Sequence, residues 1–448
     1  NYTVFATIKS LGLFGLNAFP VDVEVDIQKG LPHFDIVGLP DAAVKESRER
    51  IRAALYSISV TLPPKHIVVN LAPADVKKSG TMHDLAILVG VLKSMRQLSY
   101  SMQGKFFIGE VSLSGEVRSV NGVLPMTILA RSLGVEELYV PADNAAEAAT
   151  IQDVRVFGVH NIGELIDHLE GDAPLSPAQP ADFTEPDAPE NLLDFSDVKG
   201  QQTVKRALEI VAAGGHNVLL VGAPGSGKSM LAKRMPYILP EMTMEESIET
   251  TNIYSISGLL DPKHPLITKR PFRAPHHTIS GVGLVGGGTV PHPGEISLAH
   301  NGLLFLDELA EFDRHTLDIL RQPLEDHIVT ITRAAGTISY PCRFMLVGAM
   351  NPCPCGYYGH PKRRCSCSPQ AIQRYRSRIS GPLLERFDLQ VEVDPVSYED
   401  LTTTEPIETS ADIRKRVQAA REIQEKRFSG TSIFCNAQIP AGKLQQYC

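Results

Sequence analysis

The sequence predicts an α/β protein: two α/β domains separated by an acidic, proline-rich linker. Three observations carry this reading. Gly222-Ala-Pro-Gly-Ser-Gly-Lys-Ser229 matches the phosphate-loop pattern G-x-x-x-x-G-K-[ST] at every specified position. Leu303-Leu-Phe-Leu306 reads as a buried parallel strand that ends in the acidic pair Asp307-Glu308. From Asp167 to Val198 the only basic-type side chain is His168, and the span between them is rich in Pro, Ala and acids. That break divides residues 1–170 from a linker at 171–193 and a second domain that starts at 194.

Along the first domain, Phe5–Leu11 and Val21–Ile27 alternate apolar and polar residues as strands do. Ala42–Ser57 has helical spacing of its apolar positions. Ile67–Leu71 and Phe106–Ser112 read as strands, Leu85–Leu92 as a short buried segment, and Pro125–Leu133 as a helix.

In the second domain, Val218–Val221 is the strand before the phosphate loop and Met230–Met235 belongs to the helix after it. Gly222, Ala223, Pro224, Gly225, Ser226 and Gly227 form a backbone cradle for phosphate. Its N–H groups point inward and the helix adds its positive dipole end; Met230 completes the nucleotide-contacting stretch. Lys228 is expected on the β/γ-phosphates of ATP, and the Ser229 hydroxyl on Mg²⁺. Asp307 is placed to hold the same ion and Glu308 to polarise an attacking water, so hydrolysis is expected as well as binding. Phe344–Asn351 is a further strand whose terminal amide, Asn351, can orient that water. Arg386, just before the strand Leu389–Val393, is a candidate finger for the nucleotide of a neighbouring subunit.

Four of the seven cysteines cluster as Cys353-Pro-Cys355 and Cys365-Ser-Cys367, within an insert at 352–368. Two C-x-C pairs can close a tetrahedral Zn²⁺ site; the alternative is a set of free thiols. His360 is a possible substitute ligand. Cys342, Cys435 and Cys448 read as unpaired and structural. His276-His277 have no acids or cysteines at ligand spacing, so packing or interface hydrogen bonding is expected of them.

Composition sets the outer bounds. At 448 residues with 43% hydrophobic content, the chain can bury sizeable cores. No apolar run approaches the ~20 residues of a membrane helix. The N-terminus alternates like a strand, unlike a signal peptide, so a cytoplasmic protein without membrane partners is expected. A net charge of −8 argues against a simple basic DNA-coating protein; any nucleic-acid surface must be local.

The second domain resembles the AAA+ module of the magnesium-chelatase-like branch. The residues that carry this are Phe195–Gln201, Ala212–Asn217, Arg270–His277 and Pro293–His300, over the span 194–396. With the first domain included, nearly the whole chain resembles the YifB/ComM family. The resemblance implies a homo-hexameric ATPase. It implies movement of single-stranded or branched DNA, branch migration in natural transformation, and recombination proteins as possible partners. The rival reading is a chelatase-type motor that remodels a metal-insertion enzyme.

In the family the first domain has the Lon protease fold. Here its nucleophile position falls at Met82 and its base position at Leu124, so a pseudo-protease that binds or assembles is expected. Ser79 with Lys77 or Lys78 could stand in for the dyad only in a geometry that adjacent loop residues rarely achieve. Gly281–Gly288 resembles the helix-2 insert, and residues 328–343 the pre-sensor hairpin, turning near Ala335-Gly336. Arg333 near its tip is the best phosphate contact for DNA, ahead of Lys269, Arg270 and Arg273. Residues 397–448 resemble the start of the family's helical lid, read as incomplete, and no second sensor arginine is assigned.

Overall fold

The computed structural model describes residues 5–180, 193–288, 291–333, 336–402 and 407–448. It divides into two compact units. One holds residues 1–184 with 251–267 and 332–338, the other 185–250, 268–331 and 339–448. Among the described residues, no helix is long and apolar enough to cross a membrane. Of the linker expected at 171–193, residues 181–192 lie outside the described residues.

The first unit is built on a seven-stranded mixed sheet. Its order is His33–Val37, His66–Ala72, Asn17–Gln28, Ala6–Phe14, Lys105–Phe107, Glu137–Pro141 and Arg155–Val159. Ala6–Phe14 and Asn17–Gln28 pair antiparallel, with Ala6 opposite Val25 and Phe14 opposite Asn17. The alternation seen in the sequence is the alternation of burial: Val21, Val23 and Val25 are inside, while Asp22, Glu24 and Asp26 face outward. Phe106–Ser112, read as one strand, breaks after Phe107. Gly109 there adopts φ 156°, and Glu110–Val111 instead pairs with Val117–Arg118.

Helix Ala42–Ser57 starts at Asp41, whose carboxylate accepts from the Val44 N–H at 2.9 Å. Helix Asp84–Ser94 is apolar all round and nearly wholly buried, as a core helix must be. Its first residue, Asp84, is fully buried. It is held by Arg50 Nε at 2.7 Å and Ser47 Oγ at 2.5 Å. Burial holds this carboxyl above its usual range although both partners pull it down. Of the two positions expected to replace a Lon dyad, Leu124 is buried and Met82 is half-buried. Lys78 is buried and donates to the Pro73 carbonyl; among the described residues no hydrogen bond joins Ser79 to Lys77 or Lys78.

The second unit contains a five-stranded, all-parallel sheet. Its order is Phe272–Arg273, Leu303–Leu306, Met345–Met350, Val218–Val221 and Leu389–Glu392. Leu303–Leu306 is buried at every residue, which continuous apolar strands require when both sheet faces are covered. Helix Gln202–Gly214 packs on this sheet and ends at Gly215, φ 72°. Helix Ser410–Arg427, capped by Thr409, lies beside it. Arg416 grips Glu209 at 2.6 Å. Arg421 donates to the last carbonyls of Gln202–Gly214, those of Ala212 and Ala213, where a cation opposes the negative helix end.

Candidate active site

In a parallel sheet of this kind, ligands bind beyond the carboxyl ends of the strands. Three adjacent strands of the second unit deliver the expected residues to that edge. Val218–Val221 runs into the loop Gly222–Gly227, Leu303–Leu306 into Asp307 and Met345–Met350 into Asn351. The loop bends back at once: the Gly222 N–H donates to Met350 O at 3.2 Å, and a Cβ at 222 would lie 2.3 Å from the Val393 carbonyl. Gly225 and Gly227 adopt φ 77° and 96°, where glycine is favoured. Helix Lys228–Arg234 follows, with Met230 exposed on its outer side.

The polar atoms converge. Lys228 Nζ donates to the carbonyls of Gly222 at 2.7 Å and Ala223 at 2.9 Å, and to Asn351 Oδ1 at 3.3 Å. Burial holds its ammonium below the usual lysine range, opposed by the Asp307 carboxylate. Ser229 Oγ donates to Asp307 Oδ2 at 2.6 Å, so the two expected Mg²⁺ residues stand side by side. Ser226 Oγ is a buried polar atom without a hydrogen-bond partner in the loop's interior. An inward-facing glycine loop, a lysine over it, an orphan hydroxyl and a Ser–Asp pair fit a magnesium nucleotide. Lys228→Ala is expected to weaken ATP affinity by roughly 10- to 100-fold, the worth of charged hydrogen bonds. Titration with a fluorescent ATP analogue measures this; unchanged affinity would remove Lys228 from the site.

Glu308 follows Asp307 in a left-handed conformation, φ 50°, with its N–H donating to Asp307 Oδ1 at 2.9 Å. A non-glycine residue in that region is strained, and such strain concentrates at functional positions. Its carboxylate is exposed and lies 3.6 Å from His277 Nδ1. His277 also contacts the His276 ring, with centroids 4.1 Å apart. From the sequence, packing or interface hydrogen bonding is all that is expected of these histidines. The motif gave no signal that the chain would return His277 to Glu308.

Arg386 is not brought to the cradle. Its carbonyl accepts from Asn217 Nδ2 at 3.0 Å, and Asn217 precedes strand Val218–Val221 whereas the phosphate loop follows it. Four strand residues separate the two ends by about 13 Å. The guanidinium is paired with Glu325 at 2.8 Å, and its Nε has no hydrogen-bond partner.

The four insert cysteines do meet. The Sγ atoms of Cys353, Cys355, Cys365 and Cys367 all lie within 4.8 Å of one another. Cys353 is 3.4 Å from Cys355 and 3.8 Å from Cys365, and Cys355 is 3.6 Å from Cys365. A tetrahedral ion with Zn–S bonds of about 2.3 Å has S···S edges of about 3.8 Å, so this donor set could hold zinc. His360 is not part of it: its Nδ1 accepts from the Lys362 and Arg363 N–H groups at 3.0 Å. Cys342 and Cys435 are buried as expected, but Cys448 is exposed, so it fills no core position.

The other basic candidates separate. Arg270 is tied to Glu246 at 2.9 Å and 3.1 Å and to the carbonyls of Pro240 and Asn301; Arg273 grips Glu295 at 2.6 Å and 2.7 Å. Both are structural, because their donors are spent on fixed partners. Lys269 is exposed. Arg333 ends strand Ile328–Arg333, which with Gly336–Pro341 forms a two-stranded sheet. Its side chain is exposed, and among the described residues no acid pairs with it. The turn expected near Ala335 lies outside the described residues.

Comparison with known proteins agrees with this geometry. Residues 194–401 match the family model for magnesium chelatase, subunit ChlI. Residues 23–144 match that for subunit ChlI of Mg-chelatase, and 407–448 that for the subunit ChlI C-terminal region. Competence protein ComM of Haemophilus influenzae is 44% identical over 96% of this chain and 85% of its own length. YifB of Escherichia coli is 42% identical over 97% of this chain and 84% of its own. The magnesium-chelatase 38 kDa subunit of Rhodobacter capsulatus is 25% identical over 51% of this chain and 68% of its own. At these identities over nearly the whole length, the chain belongs to the YifB/ComM family of magnesium-chelatase-like AAA+ proteins.

Proposed function

We propose that this protein is an ATP-hydrolysing ring motor that grips and moves DNA, a branch-migration helicase that promotes recombination during natural transformation. The observation that carries the ATPase half is the convergence of Lys228, Ser229, Asp307 and Asn351 on one glycine cradle. The DNA half is supported by the likeness to a protein named for competence and by Arg333, an exposed cation without an acid partner among the described residues.

Each residue has a distinct task in this reading. The loop N–H groups and Lys228 bind the phosphates. When bound, Mg²⁺ supplies neutralisation of charge on the phosphate oxygens; Ser229 and Asp307 would hold it. Glu308 accepts the proton of the attacking water, and Asn351 orients that water. Arg386, remote from its own cradle, serves the nucleotide of the next subunit, so the assembly is a ring, with six members by family resemblance. Cys353, Cys355, Cys365 and Cys367 hold a structural Zn²⁺ immediately after Asn351.

The zinc assignment predicts about one ion per chain by elemental analysis of protein purified under reducing conditions. Replacing all four cysteines by serine removes it and lowers the melting temperature; metal-free wild type would end the assignment. A second reading, a motor that remodels a protein partner, is favoured by the likeness to the chelatase subunit. ATP turnover with and without single-stranded and four-way-junction DNA separates the two. Stimulation by DNA supports the DNA motor. Indifference to every DNA form supports the protein-remodelling motor instead.

A further inference from the structure

The cysteine insert and the helix after it carry an unusual charge. Between Asn351 and Ser380 the chain holds Lys362, Arg363, Arg364, Arg374, Arg376 and Arg378, and no aspartate or glutamate, in a protein of net charge −8. All six side chains are on the surface. Arg378 is paired with Glu311 at 3.2 Å. Among the described residues, none of the other five has an acid partner. Uncompensated cations set this close repel one another, and a bound polyanion relieves that repulsion.

Aromatic rings are interleaved with the charge. Tyr358 is 50% exposed, with the Arg376 guanidinium 5.2 Å from its ring centre. Arg363 lies 5.1 Å from the Tyr357 ring and donates to its hydroxyl at 2.7 Å. The face is also preorganised. The Tyr358 N–H donates to Cys353 Sγ at 3.3 Å, Arg376 Nε donates to Pro352 O at 3.3 Å, and the Lys362 and Arg363 N–H groups share His360 Nδ1. Cations that follow a backbone, beside an exposed aromatic ring, are the elements of single-strand recognition. An acidic peptide would use the charge but gives no reason for the exposed ring.

The insert is seated against the phosphate loop. Gly356, at φ 87°, lies so near Pro224 that a Cβ there would come within 2.5 Å of Pro224 Cδ. Asn351, one residue before the insert, bonds Lys228.

We propose that the cysteine insert is a single-stranded-DNA contact. Phosphates lie on Lys362, Arg363 and Arg364, a base stacks on Tyr358, and occupancy is felt at the phosphate loop through Gly356 and Pro224. This inference rests on the DNA-motor reading but adds a contact separate from Arg333.

The test is fluorescence anisotropy of oligo-dT on the intact chain with a slowly hydrolysed ATP analogue, across a salt series. The triple variant Lys362→Gln, Arg363→Gln, Arg364→Gln is expected to lower the log–log salt slope by about 2, near 0.7 per single-strand phosphate contact. Tyr358→Ala is expected to weaken binding by roughly 5- to 100-fold with the slope unchanged, as loss of one stacked base does. Zinc content and melting temperature of both variants should match the wild type. In the wild type itself, acetylation of Lys362 read by mass spectrometry should fall when oligo-dT is bound, a result independent of any variant's folding. A triple variant with wild-type affinity and slope, or Lys362 equally acetylated with DNA bound, overturns the insert as a contact and leaves the DNA motor standing. A wild type that binds no DNA form overturns both and turns this basic face toward an acidic protein.

Discussion

Arg386→Ala is expected to reduce ATP turnover of the assembled protein by about 10³-fold or more, with nucleotide affinity unchanged. The size follows from what an arginine finger does: it meets charge that develops on the transferring phosphoryl group, so its loss is felt in the transition state more than in binding. The position of Arg386 makes the prediction specific. It stands at the amino end of the strand whose carboxyl end carries its own phosphate loop. Its present partner is Glu325, side chain 62% exposed, and an exposed pair of this kind costs little to exchange for a phosphate. Mixed rings give the decisive measurement. Arg386→Ala subunits alone, and Lys228→Ala subunits alone at subsaturating ATP, are expected to turn over little nucleotide, whereas in the proposed ring the two together would form junctions with an intact loop from one and an intact arginine from the other. Recovery of turnover on mixing is expected; no recovery would place Arg386 outside the reaction.

Glu308→Gln is expected to lower kcat by about 10²- to 10⁴-fold while ATP binds as before, because a positioned base acts on the proton and not on the phosphates. The amide keeps the size of the side chain and its capacity to hydrogen-bond, so the backbone at φ 50° and the neighbouring Asp307–Ser229 pair should be preserved. Single-turnover hydrolysis measured beside binding of a fluorescent nucleotide checks this. Wild-type kcat in the variant would remove Glu308 as the base.

What could be read from the sequence depended on whether the physics was local. The phosphate loop was legible because each position in an anion cradle has its own requirement, glycine for the bend and lysine for the phosphate. Strands Val218–Val221, Leu303–Leu306 and Met345–Met350 were legible because strands covered on both faces are continuous apolar runs. Helix Ala42–Ser57 was legible from its period. The convergence of four thiols followed from two short pairs that the chain needed only to fold back once.

The rest depended on tertiary placement. Nothing local to Arg270 announces Glu246, nor does Arg273 announce Glu295, so two structural arginines resembled candidate DNA contacts. His277 reaches Glu308 only because separate loops end at one sheet edge. His33–Val37, Glu137–Pro141 and Arg155–Val159 are short, and they complete a sheet whose stability comes from neighbours far along the chain. Phe106–Ser112 looked like one strand because its apolar pattern runs through Gly109, where the backbone turns.

The most direct test of the whole account is movement of a synthetic four-way junction into separated duplex products, followed on a native gel, for wild type and Glu308→Gln. Branch migration by the wild type is expected to require hydrolysable ATP, and none is expected of the variant although it binds both ATP and the junction. Junction movement at the wild-type rate by Glu308→Gln, or a wild type that hydrolyses ATP yet leaves every junction intact, would contradict it.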